Sequence, residues 1–507
     1  MADYSRITLC LAAAILATAF LFRRRPKLSP NREPPCIPQL FCIPYIGHMI
    51  GLFWQRTAYY SNVSKKWNLP IFSLSMFGGK VYVVSSPDLM HSLHRQPRVV
   101  SFWFIEGQFT TLLGGMSKAS ADALQANLGA ADRESSLLVE GLKVTQQAMS
   151  PQGGMEEMNR RAAAVVRTRL DELQETGGTN RVDLWGWIQH EITIATTESI
   201  YGLGNPYRDP KVESAFWDFA DDTIMVLLSR YLPKALAPKG VSGREVVVQA
   251  MNTYFGTGAY KDSSPLTSAR YAALKGHIND EDLARFECVN GIAILGNSVP
   301  TAFWTIYHIF SDPALLVEVR AQVEMITSNA TAAGSGRRMR KINLRALKEA
   351  PLLFSVMQEA LRHRATGTGP RMVMEDTMVG QEKYHLEKGA AVIIANHALH
   401  FDASAWGASA DRFVADRFCG KTPAHAFRGF GGGINLCPGK GFAMVEIAAF
   451  AAMMAMRFDL LPADGSWDEP GQNLTNMSLQ IAPPGKKVYV TIAPRQEAHD
   501  VDWEFDS

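Results

Sequence analysis

The sequence has few cysteines and almost no net charge. Six cysteines occur in 507 residues, and their spacings form neither a CxxC pair nor a zinc-binding pattern. Such a low number excludes a disulfide-dense scaffold. Lys and Arg exceed Asp and Glu by 51 − 49 = +2, which argues against a nucleic-acid partner. We find no internal repeat and no Gly-x-Gly-x-x-Gly after a strand, so the chain has no recognisable dinucleotide site of its own.

Apolar residues are abundant. They make up 47% of the chain, against 20% for charged residues, which is enough for a large core and excludes a disordered protein. The pattern predicts a mainly α-helical fold with small β-sheets (α+β), and we expect a surface loop at 117–131. Helical patterns cover 155–200, 212–231, 244–255, 281–326, 344–364 and 440–456. Strand pairs are predicted for 71–77 with 80–85 around Gly78-Gly79, and within 380–396 around Glu387-Lys388-Gly389.

The N-terminus carries an uncharged apolar run, Ile7–Phe22. Its 16 residues would span about 24 Å as a helix, slightly less than a hydrocarbon core of about 30 Å. A basic cluster from Arg23 to Lys27 follows the run, whereas a secretory signal peptide, the alternative, has its charges before it. We therefore predict a single-pass membrane anchor at 1–25, with the body on the cytosolic side of the endoplasmic reticulum. A stiff Pro-rich linker is predicted at 26–44, and no further linker divides 45–507.

A Gly-rich loop before a long apolar helix carries the strongest motif. Phe430, Gly433, Cys437 and Gly439 match F-x-x-G-x-x-x-C-x-G, and Pro438 occupies the favoured first position of a helix. The free N–H groups and partial positive charge of a helix N-terminus stabilise a thiolate and lower its pKa. Glycines without side chains would let a flat macrocycle approach the backbone.

At these residues the sequence resembles the cytochrome P450 family, and the resemblance extends over essentially the whole chain. It implies haem b with Cys437 as the axial thiolate ligand of the iron, in a loop that includes Phe430. Arg371, in GTGPRMV, fits the place where family members pair a haem propionate, and Asn435 stands where many have Arg or His. The usual Trp-x-x-x-Arg is absent, and Lys143 is a candidate substitute.

A second pair of residues lies on one helix. Glu359 and Arg362 are three positions apart and therefore share a helix face. The resemblance implies a buried brace behind the haem loop, completed by Arg417. In that downstream segment Ala415 and Asp416 replace the usual Pro and Glu, but the Arg is kept. We expect the brace to support folding and haem retention.

The helix that faces oxygen in this family departs from the usual pattern. Gly296 and Asn297 stand in place of an acid–alcohol pair, and Ser298 lies about 100° round the helix. Pro300 lacks an N–H group, so the Gly296 carbonyl loses its helical partner and a kink is predicted. We expect Asn297, which can donate and accept hydrogen bonds, and ordered water beside Gly296 to shape oxygen activation. The Gly-Asn-x-x-Pro-x-x-Phe-Trp pattern looks like that of sterol 7α-hydroxylases, sterol 12α-hydroxylases and prostacyclin synthase.

These features predict a haem-thiolate monooxygenase with electrons from an NADPH–cytochrome P450 reductase. Its substrate would be an apolar small molecule, such as a sterol, a terpenoid or another specialised metabolite, and the departures from the usual family pattern are in keeping with fungal specialised metabolism. The missing acid–alcohol pair leaves open an isomerase or rearrangement enzyme that needs no reductase. A non-catalytic haem electron carrier is a third alternative.

Overall fold

The computed structural model describes residues 32–39, 45–76, 79–128, 136–229, 237–331, 338–476 and 478–506. The predicted anchor at 1–25 and parts of the predicted linker at 26–44 lie outside these ranges. Within the described ranges, no helix combines the length and the apolar composition needed to cross a bilayer.

Helices dominate the described residues, and the strands form small sheets, which confirms the predicted fold class. In chain order the α-helices are α1 (Gly47–Gln55), α2 (Ala58–Trp67), α3 (Pro87–His94), α4 (Phe102–Gly114), α5 (Lys118–Gln125), α6 (Leu137–Ala148), α7 (Glu156–Glu175), α8 (Leu184–Tyr201), α9 (Pro210–Asp221), α10 (Thr223–Leu228), α11 (Pro238–Gly256), α12 (Pro265–Leu274), α13 (Asp280–Leu295), α14 (Ser298–Ser311), α15 (Pro313–Met325), α16 (Pro351–His363), α17 (Asn396–His400), α18 (Ala403–Trp406) and α19 (Lys440–Arg457).

The strands are short. In chain order they are β1 (Ile71–Met76), β2 (Gly79–Val84), β3 (Val100–Ser101), β4 (Thr179–Asp183), β5 (Thr327–Thr331), β6 (Arg338–Asn343), β7 (Thr368–Val373), β8 (Thr377–Val379), β9 (Tyr384–Leu386), β10 (Ala391–Ala395), β11 (Gly431–Gly432), β12 (Asn435–Leu436), β13 (Phe458–Pro462), β14 (Tyr489–Pro494) and β15 (Val501–Asp506).

The chain divides into two compact units, and the prediction of one catalytic domain over 45–507 spans both. The first unit runs to Ile105 and includes Gly367–Leu399. It holds a five-stranded sheet in the order β1-β2-β10-β7-β3. The predicted hairpin around Gly78-Gly79 is confirmed, because β1 and β2 pair antiparallel with Met76 opposite Gly79.

Two local predictions are wrong. Residues 380–396 do not form one hairpin, since β9 pairs with β8 whereas β10 lies between β2 and β7. Val392 and Ile394 are fully buried, and an apolar strand of this kind takes a central position with a partner on each side. The stretch 117–131 is not simply a loop, because α5 begins after Ser117, whose hydroxyl caps the helix by accepting the Ser120 N–H.

The second unit comprises Glu106–Thr366 and His400–Ser507 and contains the main core. At its centre α14 packs on α8, α16 and α19. Both α14 and α19 are apolar on nearly all faces, which is typical of helices buried within a large protein. Trp304 is fully buried and its indole N–H donates to the carbonyl of Ala482 at 2.8 Å.

The predicted kink in the long helix is confirmed as a break between two helices. α13 ends at Leu295 and α14 begins at Ser298, so that Gly296 and Asn297 lie between them. Pro300 cannot donate to the Gly296 carbonyl, and regular hydrogen bonding resumes with Thr301 N–H to Asn297 carbonyl at 3.2 Å.

Candidate functional site

Cys437 lies between a short β-hairpin and the start of α19. β11 and β12 form the hairpin, and the Cys437 N–H donates to the carbonyl of Phe430 at 2.9 Å. Gly431 and Gly433 have φ values of 73° and 62°, in the left-handed region that favours glycine. The glycines of the predicted motif are therefore what allows the chain to turn before the cysteine.

The Cys437 thiol is exposed to solvent but closely surrounded by protein. Burial raises the pKa of the Cys437 thiol, while hydrogen bonds from the backbone N–H groups of Gly439 and Lys440 and the charge of Lys440 act in the opposite direction. Burial therefore outweighs the helix N-terminus, contrary to the predicted lowering of the Cys437 pKa, and a coordinated metal ion would favour the thiolate.

The surroundings of Cys437 fit a flat, largely apolar group. Ile434 and Leu436 are 50% and 47% exposed, so the hairpin presents two aliphatic side chains beside the thiol. Between them, Asn435 has a buried Oδ1 that accepts no hydrogen bond from any described residue. A thiol ligand and an apolar surface together fit a thiolate-ligated haem, whereas the Asn435 Oδ1 is an acceptor and cannot bond an ionised propionate, which only the Nδ2 of this residue could do.

Arg428 in the same loop was not among the predicted site residues. It is buried, its guanidinium lies against Gly432, and burial lowers the pKa of Arg428 to about 10. Its backbone N–H donates to Nε2 of His400 at 2.7 Å. No sequence signal indicated Arg428, because its burial depends on contacts that form only when the loop folds.

The three predicted brace residues are in contact, with Glu359 and Arg362 fully buried and Arg417 half-buried. Glu359 and Arg362 are 0% exposed, and the Arg362 guanidinium donates to both Glu359 carboxylate oxygens at 2.7 and 2.8 Å. Nε of Arg417 donates to the same oxygens at 3.1 and 3.0 Å. The Val414 N–H adds a further hydrogen bond at 2.9 Å. One carboxylate therefore holds two guanidinium groups, and the role of this cluster in haem retention stays a prediction.

The brace also organises the chain that leads to the Cys437 loop. Arg362 donates to the carbonyls of His400 and Ala410 at 2.6 and 2.7 Å. Arg417 donates to the carbonyl of Ser409 at 2.8 Å, and both arginines reach the carbonyl of Arg412. Backbone carbonyls that would otherwise be buried without donors are satisfied in this way.

Asn297 is half-buried at the break between α13 and α14. Its Oδ1 accepts the backbone N–H of Gln480 at 2.8 Å. The segment around Gln480 is also tied to the chain after α16, because the Thr366 N–H donates to the Gln480 carbonyl at 3.0 Å. Neighbouring Gly296 leaves no space for a side chain, since an added Cβ would meet the Ile292 carbonyl at 2.7 Å and Leu479 at 2.8 Å.

The other two predicted propionate contacts stay predictions. Arg371 lies on β7 in the first unit, opposite Val392, and is buried. Its guanidinium donates to the Pro370 carbonyl at 2.7 Å and lies over the Phe102 ring at 4.9 Å from the centroid. Lys143 is an exposed residue of α6.

Comparison with known proteins shows which family the region around Cys437 matches. The family model described as "Cytochrome P450" matches residues 272–489. "Cytochrome P450 monooxygenase nodJ" of Hypoxylon pulicicidum is 33% identical, over 98% of this chain and 97% of its own length. A "Cytochrome P450 monooxygenase" of Gibberella zeae is 26% identical, over 90% of this chain and 87% of its own.

Two further kinds of relative match only part of the chain. The human "7-alpha-hydroxycholest-4-en-3-one 12-alpha-hydroxylase" is 29% identical over 32% of this chain and 36% of its own length. Proteins of Gibberella moniliformis and Alternaria alternata, named as bifunctional cytochrome P450/NADPH–P450 reductases, are each 27% identical over 38% and 39% of this chain and 16% and 17% of their own lengths.

Proposed function

Because the chain belongs to the cytochrome P450 family and is a monooxygenase of that family, we propose that it inserts one oxygen atom from O₂ into a C–H or C=C bond of an apolar small molecule. The second oxygen atom leaves as water, with two electrons and two protons taken up. The substrate class is a sterol, a terpenoid or another specialised metabolite, in keeping with the sterol hydroxylase among the partial relatives. The observation that best supports this proposal is the Cys437 loop, whose thiol, apolar surface and helix N-terminus fit a haem.

In this proposal, Cys437, Asn435 and Asn297 each have a different role. The haem, when bound, supplies the oxygen-activating chemistry. Cys437 would provide the thiolate ligand, and Nδ2 of Asn435 would donate a hydrogen bond to a propionate. Asn297 has its amide oxygen bonded to Gln480, so its Nδ2 is left to donate hydrogen bonds toward the oxygen side.

Electrons come from NADPH through a separate cytochrome P450 reductase. Members of the family generally use a reductase, and some relatives carry one in the same chain. A separate flavoprotein is in keeping with the absence of a recognisable dinucleotide motif from these 507 residues.

The protein is held at the endoplasmic reticulum membrane by residues 1–25, with the body in the cytosol. The surface of α1 supports contact with membrane lipid, because Met49, Phe53 and Trp54 are 44%, 65% and 69% exposed. Arg56 lies over the Phe53 ring at 5.0 Å from its centroid. An exposed aromatic face flanked by a basic residue is typical of a helix at the lipid–water interface. Deleting 1–25 should move the protein to the soluble fraction in high salt, and retention in the membrane fraction would contradict the anchor.

A reduced-CO difference spectrum tests the haem-thiolate assignment. The full-length protein should show the Soret band of a thiolate-ligated haem, and Cys437→Ala should abolish it. Cys288→Ala is the matched control, since Cys288 is a fully buried thiol on α13 and the change should leave the band intact. Substrate-dependent NADPH consumption with added reductase should accompany product formation. Turnover without any reductant would contradict a monooxygenase and favour an isomerase.

A further inference from the structure

A cluster of aromatic rings lies where the chain passes from α11 to α12. Tyr260 belongs to the 3₁₀ turn Ala259–Asp262 between these helices, and Tyr271 lies on α12. Their rings are stacked, with centroids 4.0 Å apart and an interplanar angle of 29°. Phe255, near the end of α11, stacks on Tyr271 at 5.2 Å and lies 6.0 Å from Tyr260. A third ring therefore packs against both phenols and supports their contact.

The hydroxyl ends of the two rings are also close together. Burial and an interaction with the Tyr260 hydroxyl raise the pKa of Tyr271, while the Lys275 ammonium acts in the opposite direction. Lys275 is itself fixed by Asp280, whose carboxylate accepts its hydrogen bond at 2.5 Å. Two phenoxyl radicals couple at the ring carbons next to the carbon that bears the oxygen. Rings that are stacked with their hydroxyls adjacent bring these carbons within reach of each other.

Access to solvent distinguishes this pair from the other contacting tyrosines among the described residues. Tyr260 and Tyr271 are half-buried, so a small oxidant in solution can reach both rings. The other contacting pairs are all buried, and their ring centroids are 5.7 Å or more apart: Tyr59–Tyr60, Tyr201–Tyr207 and Tyr201–Tyr254. In the described ranges, solvent access and a short ring separation therefore coincide only at Tyr260 and Tyr271.

We propose that Tyr260 and Tyr271 form a site of oxidative modification, at which a peroxide acting in one-electron steps joins the two rings as dityrosine. Each phenol loses one electron and its hydroxyl proton, and the two radicals form a carbon–carbon bond. The hydrogen on each coupled carbon then moves to the oxygen and restores the phenol. The two electrons and two protons released convert one hydrogen peroxide into two water molecules. The product ties the 3₁₀ turn covalently to α12, and its formation does not depend on the haem.

Oxidation of the full-length protein by an added peroxidase and a limiting amount of hydrogen peroxide tests this assignment. Trypsin places Tyr260 in the peptide 245–261 and Tyr271 in the peptide 271–275. After digestion, mass spectrometry should find these two peptides joined and two hydrogen atoms lighter than their sum. The joined peptide should show the fluorescence of dityrosine and should come from monomeric protein.

Phenylalanine variants keep the rings but remove the reacting phenols. Tyr260→Phe and Tyr271→Phe should each lose the joined peptide and its fluorescence. Tyr489→Phe, at a half-buried tyrosine of β14, is the matched control and should leave the yield unchanged. If the joined peptide is absent from the wild-type protein, survives Tyr260→Phe or occurs only in covalent dimers, the proposal is refuted. The haem-thiolate function stands in each of these cases, because neither tyrosine belongs to the Cys437 loop.

Discussion

Replacing Glu359 by alanine should destabilise the protein more than replacing Arg417 by alanine, because the two changes leave different charges in the brace. Glu359 holds two guanidinium groups, so its loss leaves two buried positive charges facing each other. Breaking a buried ion pair in this way costs about 3–5 kcal/mol. Loss of Arg417, by contrast, leaves Glu359 paired with Arg362 and no net charge. We expect about 1.5–3 kcal/mol there, the value for hydrogen bonds to a charged group.

Urea unfolding of the holoprotein, followed by Soret absorbance, measures this difference. With a denaturant slope of about 3 kcal/mol/M, a loss of about 4 kcal/mol lowers the unfolding midpoint by about 1.3 M. Glu349→Ala is the matched control, since Glu349 is an exposed glutamate two residues before α16 and should change the free energy of unfolding by no more than about 0.5 kcal/mol. If Arg417→Ala lowers the free energy of unfolding by as much as Glu359→Ala or by more, charge compensation within the brace is not the origin of its stability.

Three further predictions can be checked by urea unfolding or by hydrogen exchange. Burial raises the pKa of Glu446 to about 8, so the folded protein keeps a proton that the unfolded chain releases above its ordinary pKa of 4.5. Stability should therefore fall as the pH rises from 4.5 to about 8, by up to about 1.4 kcal/mol per pH unit, and Glu446→Gln should remove this slope. If the difference in urea midpoint between the wild-type protein and Glu446→Gln stays constant over this pH range, the raised pKa of Glu446 is contradicted. Tyr201→Phe removes a hydroxyl that donates to the buried Glu287 carboxylate at 2.8 Å and should cost about 1.5–3 kcal/mol in urea unfolding. Asn297→Ala should accelerate hydrogen exchange at the Gln480 N–H, whereas Asn297→Asp, which keeps an acceptor, should not; equal rates in both variants would argue against the bond.

The parts of the site that could be predicted from sequence are those fixed by neighbours in the chain. The spacing of Glu359 and Arg362 places them on one helix face whatever the rest of the fold does. The glycines before Cys437 and Pro438 after it determine a turn followed by a helix. Pro300 interrupts the helix because it has no N–H group to donate. Each of these features depends on fewer than ten consecutive residues.

Predictions failed where the outcome depends on partners distant in sequence. β10 and β9 look like a hairpin because Gly389 separates them, but β10 pairs with β2 across about 300 residues. Likewise, the Ala/Ser-rich stretch that contains α5 has weak local signals, and its helix start is supported by the Asp282 carboxylate, which accepts the Ser117 N–H at 3.0 Å. Burial of Arg428 against Gly432 is equally invisible in a list of residues.

Asn297 illustrates how such a contact changes a chemical interpretation. From sequence its amide can donate and accept, but the Gln480 N–H, 183 residues away, occupies the acceptor. The amide does not titrate, so Asn297 can orient an oxygen atom by hydrogen bonding but cannot release a proton to it. Gly296 has no side chain to do so either. Asn297→Asp, which keeps the tether to Gln480 and adds a titratable group at the break in the helix, should therefore give the reaction a pH dependence that the wild-type protein lacks.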